Sequence, residues 1–192
     1  MKESDKPFFD AVIIGAGFSG LYQLHSLRDK LDMNCHLFET ASGVGGTWFW
    51  NRYPGARCDT ESHAYCYYFN KELYEKWDWS ERYPSQREIE SYLNFIADNL
   101  DLYRDISFKS CVTELIFNED KNNWEIKLEN GKSCIAQFVI TALGCLSSVN
   151  MPFLPGMKSF SGEIFHTANW PKSNVDFNGK NIGIIGTGST GI

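Results

Sequence analysis

The stretch "FFDAVIIGAGFSGL" at residues 8–21 decides how the rest of this chain is read. Residues 8–14 form an apolar, strand-like run that meets Gly15. From Phe18 onward Leu21, Leu24, Leu27 and Leu31 recur at helical spacing, which predicts a helix to about Leu31. "CHLFE" at 35–39 is a second short strand ending in an acid, so the segment is a β-α-β unit that builds a parallel sheet. Gly15-x-Gly17-x-x-Gly20 thus stands between a strand and a helix, the setting a dinucleotide fingerprint requires. The first glycine permits the tight turn, the second lets backbone approach a pyrophosphate, and the third lets helix and strand pack closely. Phe18 and Ser19 open the helix whose N–H groups and dipole face the phosphates. Glu39, 19 residues past Gly20, stands where a carboxylate bonds a ribose hydroxyl.

Composition narrows the classes. The 43% hydrophobic and 22% charged fractions are those of a globular protein with one substantial core, or one domain and part of another. A net charge of −6 argues against a nucleic-acid partner, which needs a concentrated basic stripe. No apolar run is long enough to span a bilayer, and "MKESDKPFFD" lacks the apolar stretch of a signal peptide. The six cysteines contain no CxxC pair and are expected to be reduced, structural thiols in a cytoplasmic protein. The four histidines lack metal-ligand spacing.

Further along, residues 40–84 are rich in Gly, Pro, Arg, Tyr and Trp, a long loop whose aromatic content makes it functional rather than disordered. "SQREIESYLNFIADN" (85–99) is a helix, with Ser85 and Glu88 as a capping box. Residues 112–144 are an antiparallel meander with turns at Asn122-Asn123 and Asn130-Gly131, its last strand returning toward the sheet. After a Pro- and Gly-punctuated connection, "NIGIIGTGSTGI" (181–192) repeats the opening device as Gly186-x-Gly188-x-x-Gly191, with Ser189 and Thr190 starting a second helix. Two fingerprints imply two dinucleotides, the usual pair being FAD and a nicotinamide. Gly45-Gly46, close behind Glu39, marks the first site for FAD.

Two stretches between the fingerprints resemble one family. "GGTWFWNRYPGARCD" (45–59) fits [A/G]GxW, four residues, [F/Y]P[G/M], three residues, Asp. "FSGEIFHTANWP" (160–171) fits FxGxxxHxxxWP. From about residue 8 onward the chain resembles the N-terminal third of type I Baeyer–Villiger monooxygenases. The resemblance implies that NADPH reduces FAD, that the reduced flavin holds O₂ as a C4a-peroxide, and that a ketone becomes an ester or lactone. It implies that Asp59 is the active-site carboxylate, beside the nicotinamide and an arginine from a later segment. It places Trp48 against the flavin with Gly46, Thr47, Phe49 and Trp50 along the same stretch, and Arg57 and Cys58 beside the cofactors. Tyr65 matches a flavin-contacting tyrosine, and Val112 a position whose backbone grips adenine. His166 invites a general-base reading, but its place between the two dinucleotide units makes a hinge role the better one, with Trp170 packing the linker. Leu143 in "TALG" departs from the hydroxyl residue often found there.

The expected fold is α/β: a Rossmann-like FAD-binding domain (1–150), an interdomain linker (151–180), and the truncated start of an NADP-binding Rossmann domain (181–192). The expected substrates are a ketone-type small molecule and O₂. The 192 residues are expected to be an incomplete portion, inactive alone. Two other readings stand beside this one: a non-catalytic FAD-binding module from a truncated gene, and an N-hydroxylating or sulfoxidising relative. Trp170-Pro171 and the Asp59 motif disfavour the last.

Overall fold

The computed structural model describes residues 6–191, so Met1–Asp5 of the leader reading and Ile192 of the second fingerprint lie outside the described residues. Six strands make one mixed sheet: β1 (Phe8–Ile14), β2 (Cys35–Phe38), β3 (Ile106–Ser107), β4 (Val112–Asn118), β5 (Asn123–Leu128) and β6 (Ser133–Thr141). Their order is β3-β2-β1-β6-β5-β4. The first four neighbours are parallel and the meander β4-β5-β6 is antiparallel. β6 belongs to both halves, pairing with β1 from Phe8↔Ile135 to Ile14↔Thr141 and with β5 through its first four residues. This is the Rossmann-like architecture with a β-meander expected above.

Alternation along β1 explains the layering. Ala11 and Ile13 face one way, into a core with Leu21 and Leu24 of helix α1 (Phe18–His25) and Ile89, Tyr92, Leu93 and Ile96 of helix α4 (Gln86–Asn99). Val12 and Ile14 face the other way, into a smaller cluster with Phe38 and the meander residues Ile126, Leu128, Cys134 and Ala136. Two one-turn helices, α2 (Thr47–Trp50) and α3 (Lys71–Glu75), interrupt the long loop between β2 and α4.

Three local expectations change. The first helix leaves α geometry at Ser26–Lys30, a π-turn. Its wider winding rotates the next residues, so Leu31 leaves the buried stripe and stands 64% exposed. The same turn aims Arg28 at the far end of α4, where it donates to the carbonyls of Leu100 (2.7 Å) and Asp101 (2.8 Å) and to Asp105 (2.9 Å). The capping box of α4 is half made: Ser85 accepts from the Glu88 N–H, but the Glu88 carboxylate turns to the Ser80 N–H at 2.6 Å. Finally, the strand expected ahead of the Gly186 turn is unpaired; Ile184 and Ile185 are 70% and 81% exposed, and Ser189–Gly191 is a single 3₁₀ turn.

All six cysteines are free. Burial pushes the Cys35 and Cys134 thiols up to about 11, while Cys145 is exposed. At pH 8 a thiol of that acidity is only about 0.1% thiolate. Alkylation of the native protein at pH 8, mapped by peptide mass spectrometry, is therefore expected to label Cys145 first. Cys35 and Cys134 should react only after denaturation, and equal labelling of all three would contradict this packing.

Candidate dinucleotide site

The site is built where two glycine turns meet at the end of the parallel sheet. Gly15 leaves β1 at φ +105°, and a β-carbon there would lie 2.7 Å from the Ala142 carbonyl oxygen after β6. Gly20 packs its α-carbon onto the same turn, since a β-carbon would fall 1.8 Å from the Gly15 carbonyl oxygen. Gly46, at φ +55°, faces Gly17: its β-carbon would come within 2.9 Å of the Gly17 α-carbon. The Gly45 N–H donates to the Ala16 carbonyl at 2.9 Å, locking the two turns together.

What this leaves open is polar and positive. Gly17 is the N-cap of α1 and supplies no side chain to it, and the first turn carries no acid. The N–H groups of Phe18, Ser19 and Gly20 thus have no acceptor within the helix and favour an anion. At the rim, Glu39 follows β2 and is 6% exposed. Its two oxygens accept from the N–H groups of Ala16 (2.6 Å) and Ala41 (2.7 Å), which aim the carboxylate while leaving it lone pairs for a hydroxyl. The Ser110 N–H bonds to the Glu39 carbonyl at 2.9 Å, which brings Val112, the first residue of β4, to the same rim.

The first signature supplies the wall. Trp48 is buried and its indole N–H donates to the Tyr65 hydroxyl at 3.1 Å, with the rings edge to face. Burial raises Tyr65 above the ordinary phenol range against the pull of that bond, and Cys58, Asp59 and Cys145 raise it further. Its phenol therefore stays protonated. Thr47 opens α2, but Trp50, two positions beyond Trp48, falls on the opposite side of the turn and is 43% exposed against Phe49. Cys58 is buried and its N–H is tied to the Pro84 carbonyl at 3.0 Å, which fixes the backbone beneath the exposed Asp59. Arg57 points away into an exposed ion pair with Glu81 at 2.9 Å.

The second fingerprint stays apart from this cluster, exposed along Gly186, Gly188, Ser189 and Thr190. A hydrogen bond reaches it, between the Tyr53 hydroxyl and Thr190 Oγ1 at 3.4 Å. In the second signature His166 Nδ1 accepts from the Ala168 N–H at 3.1 Å, capping the turn Thr167–Asn169. Trp170 packs on Phe165 and Phe177. Among the described residues no cluster of His, Cys, Asp or Glu could hold a metal, and no helix is long and apolar enough to cross a membrane.

Sequence reasoning passed over three side chains that brace this wall: Arg52, Gln86 and Glu90. Gln86 donates to the Trp48 carbonyl and to Glu90, and Arg52 bonds Glu90 and the Phe49 carbonyl. Their spacing carries one local signal, Gln86 and Glu90 at i,i+4 on one helix face, and nothing that points to residue 48.

Residues 10–192 match the family described as flavin-binding monooxygenase-like. The chain belongs to that family. It is similar to the acetone monooxygenase (methyl acetate-forming) of Gordonia sp. strain TY-5, at 50% identity over 95% of this chain and 34% of that protein. It is 45% identical to phenazine N-monooxygenase PhzNO1 of Lysobacter antibioticus, across 100% of this chain and 35% of the relative. The crystal structure of cyclohexanone monooxygenase from Rhodococcus sp. Phi1 bound to NADP+ superposes with a TM-score of 0.92 at 45% identity, covering 97% of this chain and 35% of that one. The chain thus spans about a third of the length of the relatives it matches.

The glycine geometry separates folding from ligand access. Gly20→Ala forces a β-carbon into the Gly15 carbonyl and is expected to cost about 3 kcal/mol or more. Gly17→Ala meets Gly46 at an ordinary 3.5 Å and is expected to stay within about 1 kcal/mol of the parent. Urea unfolding of the two variants decides it, and equal losses would mean the turn is not packed this way.

Proposed function

We propose that residues 1–150 form the FAD-binding domain of an NADPH-dependent Baeyer–Villiger monooxygenase, with 151–180 as the linker and 181–192 as the start of the NADP-binding domain. The substrates are O₂ and a ketone-type small molecule, and the product is an ester or lactone. The observation that carries this reading is the pair of facing glycine turns with Glu39 fixed at their rim, in a chain 50% identical to an acetone monooxygenase. The residues present fit FAD. A β-carbon on Gly46 would collide with the Gly17 backbone, so the two turns meet backbone to backbone, the close approach that a pyrophosphate site needs. Gly15, Gly17, Phe18, Ser19 and Gly20 bind the phosphates, Glu39 the ribose, and the backbone at Val112 the adenine end.

Bound flavin, reduced by NADPH, supplies the activation of O₂. The chain's own residues orient and shield it. Gly46, Thr47, Trp48 and Tyr65 form the flavin-side wall; the protonated Tyr65 hydroxyl accepts from Trp48 and keeps its own proton for a ligand acceptor. Asp59 has no side-chain hydrogen bond among the described residues, so its carboxylate is open to a cation beside the nicotinamide. Arg57 and Cys58 precede Asp59 in the sequence, with the Arg57 guanidinium held by Glu81, Trp50 stands on the outer side of α2, and Gly186, Gly188, Ser189, Thr190 and Gly191 form the second phosphate turn. Free thiols throughout agree with a cytoplasmic setting.

A second reading, N-oxygenation, draws on the 45% identity to phenazine N-monooxygenase. The intact protein that carries this chain, supplied with NADPH and acetone or cyclohexanone, is expected to form ester or lactone. N-oxide from a phenazine without ester from any ketone would favour the second reading. Asp59→Ala is expected to retain FAD by its visible absorption and lose ester formation by about a hundredfold or more. Colourless variant protein would instead make Asp59 part of flavin binding.

A further inference from the structure

We propose that Gln86, Glu90 and Arg52 are a positioning clamp that sets the pose of α2, and through it the place of Trp48 beside the bound flavin. The proposal rests on the FAD-site reading above. A helix of four residues cannot sustain itself, and its last carbonyls have no helical N–H to meet. In α2 the first three carbonyls are claimed one by one. Thr47 O accepts from the Asn51 N–H (2.9 Å) and from Asn51 Nδ2 (3.0 Å). Trp48 O accepts from Gln86 Nε2, and Phe49 O from Arg52 Nε at 2.6 Å.

The last two donors are joined behind the helix. Gln86 Nε2 also donates to Glu90 Oε2 at 2.8 Å, and Arg52 Nη2 donates to Glu90 Oε1 at 2.7 Å. The result is a closed ring running from the Trp48 carbonyl through Gln86, Glu90 and Arg52 to the Phe49 carbonyl. Gln86 is 7% exposed, and its Nε2 spends both donations inside the ring in a dry setting. Its backbone N–H holds the Ala56 carbonyl at 2.9 Å, so one residue ties both ends of the signature loop to the rigid start of α4. Arg52 covers the Phe49 ring at 4.9 Å, which keeps the exposed corner of the ring in register. The geometry asks for glutamine: a glutamate of equal size would present an acceptor to the Trp48 carbonyl and a like charge to Glu90.

The Trp48–Tyr65 hydrogen bond reports the pose of α2 without any cofactor. The test uses Gln86→Glu in the intact protein, with ¹⁵N-labelled tryptophan and the Trp48 indole resonance assigned by its disappearance in Trp48→Phe. The expected result is a shifted or broadened Trp48 indole resonance, with the other indole resonances in place. FAD binding, followed by flavin fluorescence, is expected to weaken roughly tenfold, the size of a buried acceptor losing its donor. Less ester should form per NADPH oxidised. Where Gln86→Glu fails to fold, Gln86→Met and Arg52→Lys carry the same readouts, the first removing both Gln86 bonds of the ring and the second the two-pronged Arg52 guanidinium, without adding a buried charge. An unmoved Trp48 resonance with parental FAD affinity overturns the clamp. So does a lowered melting temperature with both of those readouts unchanged, which would make the ring ordinary packing. If the parent protein binds no FAD, the functional reading fails, while the indole resonance still decides whether Gln86 sets α2.

Discussion

Everything at the end of the parallel sheet depends on two stretches of backbone approaching with no side chain between them. Gly17 and Gly46 are so close that a β-carbon on Gly46 would overlap the α-carbon of Gly17, and the Gly45 N–H closes the contact onto the Ala16 carbonyl. That contact brings the loop after β2 back over the turn after β1. It also leaves the N–H groups of the first turn of α1 pointing outward. A side chain at Gly46 would separate the turns, and Trp48, which follows Gly46 by two residues, would move with them. The cradle and the aromatic wall are therefore consequences of one packing constraint.

The β-α-β opening and the meander were legible because their signals are local: period-two or period-3.6 apolar spacing, glycine at a turn, an acid at a strand end. Glu39 and Gly20 sit where spacing alone places them. The π-turn at Ser26–Lys30 was illegible, because its leucines continue at helical spacing while Arg28 is drawn toward Leu100 and Asp105, more than seventy residues away. The Glu88 half of the capping box was lost in the same manner. Glu88 stands at the right offset from Ser85, but the loop before α4 offers it the Ser80 N–H at 2.6 Å. In both cases a distant or non-helical partner outcompeted a local rule, which no spacing pattern records.

The long aromatic loop shows a third kind of information. Its composition said that it was ordered; its path follows from where each hydroxyl finds a partner. Tyr67 donates to the Phe18 carbonyl in the first turn of α1, and its own N–H donates to the Tyr92 hydroxyl on α4 at 2.8 Å. Burial raises both phenols well above their usual range, so they stay protonated across the physiological range. Trp77 and Trp79 pack on Tyr92 from the other side. The loop is thereby fastened to both helices that cover one face of the sheet, and Tyr65, two residues before Tyr67, is held against Phe18 and Trp48.

The second fingerprint separates what a turn can do alone from what a strand cannot. Gly186 adopts φ +125°, close to the +105° of Gly15, and a β-carbon on Gly191 would meet the Gly186 carbonyl at 2.8 Å, as Gly20 meets Gly15. The bend of the glycine turn is thus formed, because it depends on backbone freedom and contacts within six residues. The preceding apolar run is not a paired strand, because a ladder needs a neighbour and the isoleucines need a covered face. Identical local sequence logic therefore yields a packed double turn at residues 15–20, where the sheet and the Gly45-Gly46 turn converge. At 186–191 it yields only the bend. What converts a glycine fingerprint into a binding site is the second backbone packed against it.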